Sequence, residues 1–190
     1  MMTANTPANP RERLLAATGL LTYTNGVGVG VQALCKSAGV SKRSMYQMFA
    51  SKADLMAASL QQRADAYAGQ LLPDEIDDVS ARENILRVFD NLVLLAARRD
   101  YHGCPYLAAQ VEIKDPRNPA FRVARRTKKL LEDYFQAQAV RGGARDASLL
   151  ARQLMLVFDG ASSRAGIGAE TLQGLVTPTA ATLLDSAGVQ

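Results

Sequence analysis

Apolar side chains recur along this chain at three- and four-residue intervals, the spacing of one face of a helix. Leu14, Ala17, Thr18 and Leu21 stand at i, i+3, i+4 and i+7 and predict a helix over Arg11 to Thr24. Asn9 is placed to cap it, and Pro10 suits its first turn. Asn25-Gly26 closes it, and the Gly-Val alternation up to Val31 reads as a connector, being too rich in glycine for a strand. A short helix follows from Val31 to Ala38, with Val31, Leu34, Cys35 and Ala38 inward and Gly39 as its stop. Ser41 caps a third helix, Lys42 to Phe49, and Ser51 a fourth that runs to about Leu72, where Pro73 and the acidic stretch 74–78 end it.

The rest of the chain keeps the helical period. Helices are predicted over Ser80–Arg99, Cys104–Ile113, Pro119–Val140, Asp146–Ile167 and Thr171–Ser186. In the third of these, Phe121, Ala124, Lys128, Leu131 and Phe135 fall at helical spacing. The fold class is therefore all-α, with about nine helices, and neither a repeat nor a low-complexity segment interrupts them.

Helix, glycine-containing turn, then a short polar helix is the outline of a helix-turn-helix. At about 100° per residue, Met45, Met48 and Phe49 cluster on one side of the second helix of that motif. Arg43 and Gln47 then point away from the core, flanked by Ser44 and Tyr46. This face has chemistry that suits DNA. Arg pairs bidentately with guanine and Gln with adenine, which makes Arg43, Ser44 and Gln47 the candidate base contacts. Lys42, Tyr46 and Lys52 are candidates for phosphate oxygens, which set register rather than sequence. A solvated polar face on a small helical domain is the alternative reading.

Charge distribution favours the DNA reading. The net charge is +4, and the first 60 residues hold six basic residues against two acidic ones, so the whole excess lies there. Other chemistry is thinly supplied. One histidine and two distant cysteines, Cys35 and Cys104, are too few for a four-ligand zinc site, and no metal or cofactor is expected. A disulfide framework is not expected either. No Ser-His-acid set, Glu-x-x-His pair or phosphate-cradling glycine loop supports a helical enzyme. No run of about 18 apolar residues predicts a membrane span, and residues 1–9 read as a disordered lead-in without a signal-peptide core. A cytoplasmic protein is expected.

Three segments carry a family resemblance. Arg11-Glu12-Arg13-Leu14-Leu15-Ala16-Ala17, Ala38-Gly39-Val40-Ser41-Lys42-Arg43-Ser44-Met45-Tyr46-Gln47-Met48-Phe49 and Ser51-Lys52-Ala53-Asp54-Leu55 together resemble the DNA-binding domain of TetR/AcrR-family transcriptional regulators. The resemblance covers about residues 10–60. It implies that Tyr46 and Lys52 match phosphate-holding positions, and Arg43, Ser44 and Gln47 the base-facing ones. Where the family usually has Thr or Ser before the second helix, this chain has Val29-Gly30, so contact there would come from backbone N–H groups.

The resemblance further implies a three-helix DNA-binding domain over 10–55 and a helical ligand-binding and dimerisation domain over 56–190. The expected protein is a ligand-responsive homodimer on a double-stranded DNA operator, most simply a repressor released by a small-molecule effector. An activator or a ligand-independent DNA binder is the alternative. In the second domain, Leu154, Phe158, Ala161, Leu175 and Leu183 are candidates for the dimer interface. Candidates for an effector pocket are Phe89, Val93, Tyr101, Cys104, Tyr106, Phe121, Tyr134 and Phe158, with core packing the alternative for each. An apolar or weakly polar effector is expected. The segment His102-Gly103-Cys104-Pro105-Tyr106 is similar to a Gly-Cys-Pro-aromatic motif in a subset of these regulators, and Cys104 is weighed as a redox sensor against a packed thiol. The basic run Arg122, Arg125, Arg126, Lys128 and Lys129 reads as a solvated face, with Glu132 and Asp133 pairing with Lys128 and Lys129.

Overall fold

The computed structural model describes residues 9–73 and 79–190. The predicted lead-in up to residue 8 and the acidic stop at 74–78 lie outside them. The described residues form nine helices: α1 (Pro10–Asn25), α2 (Val31–Ala38), α3 (Lys42–Met48), α4 (Lys52–Leu71), α5 (Ala81–Ala96), α6 (Pro105–Ile113), α7 (Pro119–Arg141), α8 (Ala147–Gly166) and α9 (Val176–Ala187). None of them forms a strand, and the Gly-Val segment is a turn. Most predicted ends agree to within one residue. The largest correction is α9, which starts at Val176 rather than near Thr171. Gly174, at φ +71°, lies in a turn that delays it.

Caps match the sequence chemistry. Asn9 and Glu12 form a reciprocal capping box at α1, with Asn9 Oδ1 accepting from Glu12 N at 2.9 Å and Glu12 Oε2 from Asn9 N at 3.0 Å. Ser41 accepts from Ser44 N at 3.0 Å, Ser80 from Glu83 N at 3.1 Å and Asp146 from Leu149 N at 2.9 Å. Gly30 stands at the N-cap of α2 and gives no side-chain hydrogen bond, as its missing hydroxyl predicts.

The chain divides into two compact units. One comprises Met1–Arg63 with Ala109–Ala124, the other Ala64–Ala108 with Arg125–Gln190. A sequence boundary after residue 55 thus differs in two ways: the N-terminal unit keeps more of α4, and it takes in a second stretch from the middle of the chain.

In the first unit, α1, α2 and α3 pack around Leu14, Leu34 and Met45, each with no exposed surface. Leu15, Ala38, Phe49 and Leu55 complete that core. Burying a side chain of this size is worth about 1.5–3 kcal/mol, so these few residues can hold a small three-helix domain together. In the second unit, α5 packs on α8 and α9, and its Ile85, Val88, Phe89 and Leu92 are buried. The Phe89 and Phe135 rings stack with centroids 5.6 Å apart. The loop before α6 lies on the end of α8: Tyr101 and Ser162 share a 2.7 Å hydroxyl hydrogen bond, and Gly103 sits at φ +94°.

Candidate nucleic-acid interface and effector cavity

The helix-turn-helix is built from α2 and α3. Gly39, in the left-handed conformation at φ +62°, ends α2. Arg13 Nε donates to the Ala38 carbonyl at 2.9 Å and ties α1 to the turn. On α3, fully buried Met45 anchors the inner face. That orientation leaves Lys42, Arg43, Tyr46 and Gln47 exposed, Tyr46 by 55%. Ser44 is half-buried, and its hydroxyl lies 2.9 Å from that of Ser41, so it is engaged at the helix start more than its flanking position implied.

Lys52 is placed differently from a free phosphate ligand. Its Nζ donates to the Val27 carbonyl at 2.6 Å, and the residue is half-buried. The same peptide segment is held from its other side, because Val27 N donates to Glu112 Oε2 on α6 at 2.7 Å. A cation and a carboxylate therefore clamp the connector between α1 and α2. Gly26, at φ +82°, makes room for this: a Cβ there would lie 2.8 Å from Glu112 Oε2. Sequence reasoning missed Glu112, since nothing in the local pattern around residue 112 points to a partner at residue 27.

The second unit contains a small cavity of about 30 Å³. Tyr67, Leu71 and Leu72 line it from the α4 side, Leu131 from α7 and Phe158 from α8, with Thr127 and Lys128 also at its wall. Of the eight predicted pocket residues, only Phe158 lines it. Phe89 and Tyr106 have no exposed surface, Tyr106 packing on Tyr67 at 5.0 Å between centroids. Tyr101 bonds Ser162, while Val93 and Tyr134 are half-buried away from the cavity lining. Phe121 belongs to the first unit. Cys104 is 4% exposed, which favours the packed thiol, and burial raises the pKa of the Cys35 thiol.

Lys128 is a second correction. It is 8% exposed, and its ammonium bonds Asp159 on α8 rather than Glu132. It also lies 4.6 Å from the centre of the Phe158 ring. Only Lys129 makes the predicted surface pairs, with Glu132 at 3.2 Å and Asp133 at 2.8 Å. The spacing with Ala124, Leu131 and Phe135 had already put Lys128 on the inner face.

Of the predicted dimer residues, Leu154 and Phe158 are fully buried within the protomer and have no surface to offer a partner. Ala161 and Leu183 are half-buried, and Leu175 is exposed. α8 instead exposes Leu149 and Leu156, the latter by 75%, and Ile167 beyond its end is 79% exposed.

Comparison with known proteins gives this geometry a family. A solved structure of a protein from Streptomyces avermitilis, described as a TetR transcriptional regulator, shares 56% identity with this chain, covers 96% of it and 100% of its own length, and superposes with a TM-score of 0.93. The chain belongs to the TetR family. The family model "Bacterial regulatory proteins, tetR family" matches residues 14–59 of this TetR protein, the span of α1 to the first part of α4. The HTH-type transcriptional regulator YjdC of Escherichia coli is 28% identical over 105 residues, so the match covers 55% of this chain and about half, 54%, of that protein. A TetR-family transcriptional regulator from Streptomyces coelicolor is 21% identical but shares the fold over 94% of this chain, with a TM-score of 0.78. This TetR protein is a DNA-binding transcriptional regulator, and the helical-enzyme alternative falls away. Among its described residues, no helix is long and apolar enough to cross a membrane.

Proposed function

We propose that this regulator is a homodimeric repressor that leaves a near-palindromic operator when its second unit binds a small molecule. The observation that carries the reading is the exposed polar face of α3. Met45 is buried beneath it, so Arg43 and Gln47 extend outward where a major groove would meet them. Arg43, Gln47 and, less directly, Ser44 read bases. Lys42 and Tyr46 hold phosphates, and Lys52 contributes charge while bracing the connector.

Dimerisation is supported by the exposed leucines of α8 and by Leu175 just before α9, a set of apolar side chains that water covers poorly. Two recognition helices would then enter successive major grooves roughly 34–36 Å apart. An effector that binds the DNA-incompetent state more tightly would release the operator, and only that difference in affinity can do so. The setting is the cytoplasm, where the operator is.

Selection of bound sequences from a random double-stranded DNA library tests the reading, with wild type beside Gln47→Ala. One two-fold symmetric motif, shifted by the substitution, is the expected result. Folded protein that enriches no motif at low salt would overturn it.

A further inference from the structure

The charge pair at the cavity points to the chemistry of the effector. Lys128 is the charged residue of the cavity wall and its ammonium bonds Asp159, and the two differ in how firmly they are held. The Lys128 side chain is 10% exposed and rests on the Phe158 ring, whereas that of Asp159 is 28% exposed. A buried ammonium left without an anion is strongly penalised. The more accessible carboxylate can turn outward to water, while the ammonium stays inside. The pair is thus open to exchange of its anion, not of its cation. Beyond it the wall is apolar, through Tyr67, Leu71, Leu131 and Phe158.

We infer that the effector is a small apolar molecule with a single carboxylate, which takes the place of Asp159 at Lys128 and sets its hydrocarbon part against Leu71, Leu131 and Phe158. This inference rests on reading the second unit as the effector-binding half. A cavity of about 30 Å³ holds no more than a water or two, so it describes the closed form. Entry widens it as Lys128 exchanges its anion. A neutral ligand would gain the apolar contacts but not the exchange. A cationic one would have to expel Lys128 from its ring contact.

Three probes of one length separate these cases: hexanoate, hexanamide and hexylammonium. Their binding to the full chain is measured by titration calorimetry for wild type, Asp159→Asn and Lys128→Met, with folding of each variant checked by circular dichroism. Hexanoate is expected to bind at least tenfold more tightly than hexanamide, and hexylammonium not at all. Asp159→Asn removes the competing anion while keeping the site's shape, and should strengthen hexanoate several-fold. Lys128→Met, if folded, should abolish the preference. If it does not fold, the Asp159→Asn comparison decides alone.

Equal binding of hexanoate and hexanamide, a preference for hexylammonium, no binding of any probe, or weaker hexanoate binding by Asp159→Asn would each overturn the inference. Because the readout is direct binding, failure to find an operator would count against the proposed function and not against this site. Operator binding without a carboxylate preference would count only against the site.

Discussion

Replacing Gly166 by alanine tests how tightly the loop before α6 is seated on α8. A Cβ built at Gly166 would lie 2.5 Å from Gly103 N, 2.6 Å from the His102 carbonyl carbon and 2.7 Å from Gly103 Cα. All three are backbone atoms, so no side-chain rotation relieves the contact. Retreat of the loop is resisted as well. Tyr101 is bonded to Ser162, and Gly103 already holds a φ of +94°, where a Cβ built on it would lie 3.3 Å from the Ser162 carbonyl oxygen. Overpacking of this kind costs about 1–3 kcal/mol. The gain in helix propensity from Gly to Ala opposes it by at most about 1 kcal/mol, and by less at the last residue of a helix. Gly166→Ala should therefore lose about 1–2 kcal/mol, lowering the melting temperature by roughly 2–8 °C for a chain of this size. Gly69→Ala in α4 is the matched control, because nothing lies within 4 Å of a Cβ there. It should gain up to about 1 kcal/mol. Thermal denaturation followed by circular dichroism reads both. If Gly166→Ala melts at or above the wild-type temperature, the loop yields freely and the packing argument is wrong.

Other expected outcomes concern the first unit and the thiols. Thr18 is fully buried and its Oγ1 has no hydrogen-bond partner among the described residues, so Thr18→Val should raise stability by about 1 kcal/mol; a lower denaturation midpoint would contradict this. Glu112→Ala removes the acceptor of the Val27 amide, whose hydrogen exchange should quicken several-fold while global stability moves by under about 1 kcal/mol. Unchanged exchange at Val27 would mean that the connector is held by Lys52 alone. Both cysteines are 4% exposed, and burial raises the pKa of Cys35. Native protein at pH 8 should thus react slowly with a thiol-specific disulfide reagent, and two thiols should appear once guanidinium unfolds it. Fast reaction at Cys104 in the native state would restore the sensor reading.

How far the sequence discloses such a protein depends on the distance over which its interactions act. Helix positions follow from neighbours three and four residues apart, and the capping residues Asn9, Ser41, Ser80 and Asp146 lie within the same range. The recognition face is legible for that reason: Met45 inward forces Arg43 and Gln47 outward on a helix of seven residues. Partners remote in sequence are not legible. Lys128 could be paired with Glu132 by spacing, yet Asp159 on another helix takes it. Leu154 and Phe158 belong to an apolar stripe that serves either a core or a partner, and only the packing of α8 on α5 and α9 decides between them. The lining of the cavity is illegible for the same reason. Aromatic residues were natural candidates, but their rings mostly fill the core, and leucines line the space.

The first unit is discontinuous, and this has a consequence for the order in which the protein is made. Synthesis proceeds at about 5–20 residues per second from the N-terminus. The recognition helix and its caps emerge early, while Glu112 leaves the ribosome only after the whole of the second unit's first stretch has been translated. Until then the nascent chain carries a reading head whose connector is fastened by Lys52 on one side only. A fragment ending at residue 63 would stay in that half-fastened state permanently, so cutting the gene there yields a helix-turn-helix that is complete in sequence and unfinished in structure.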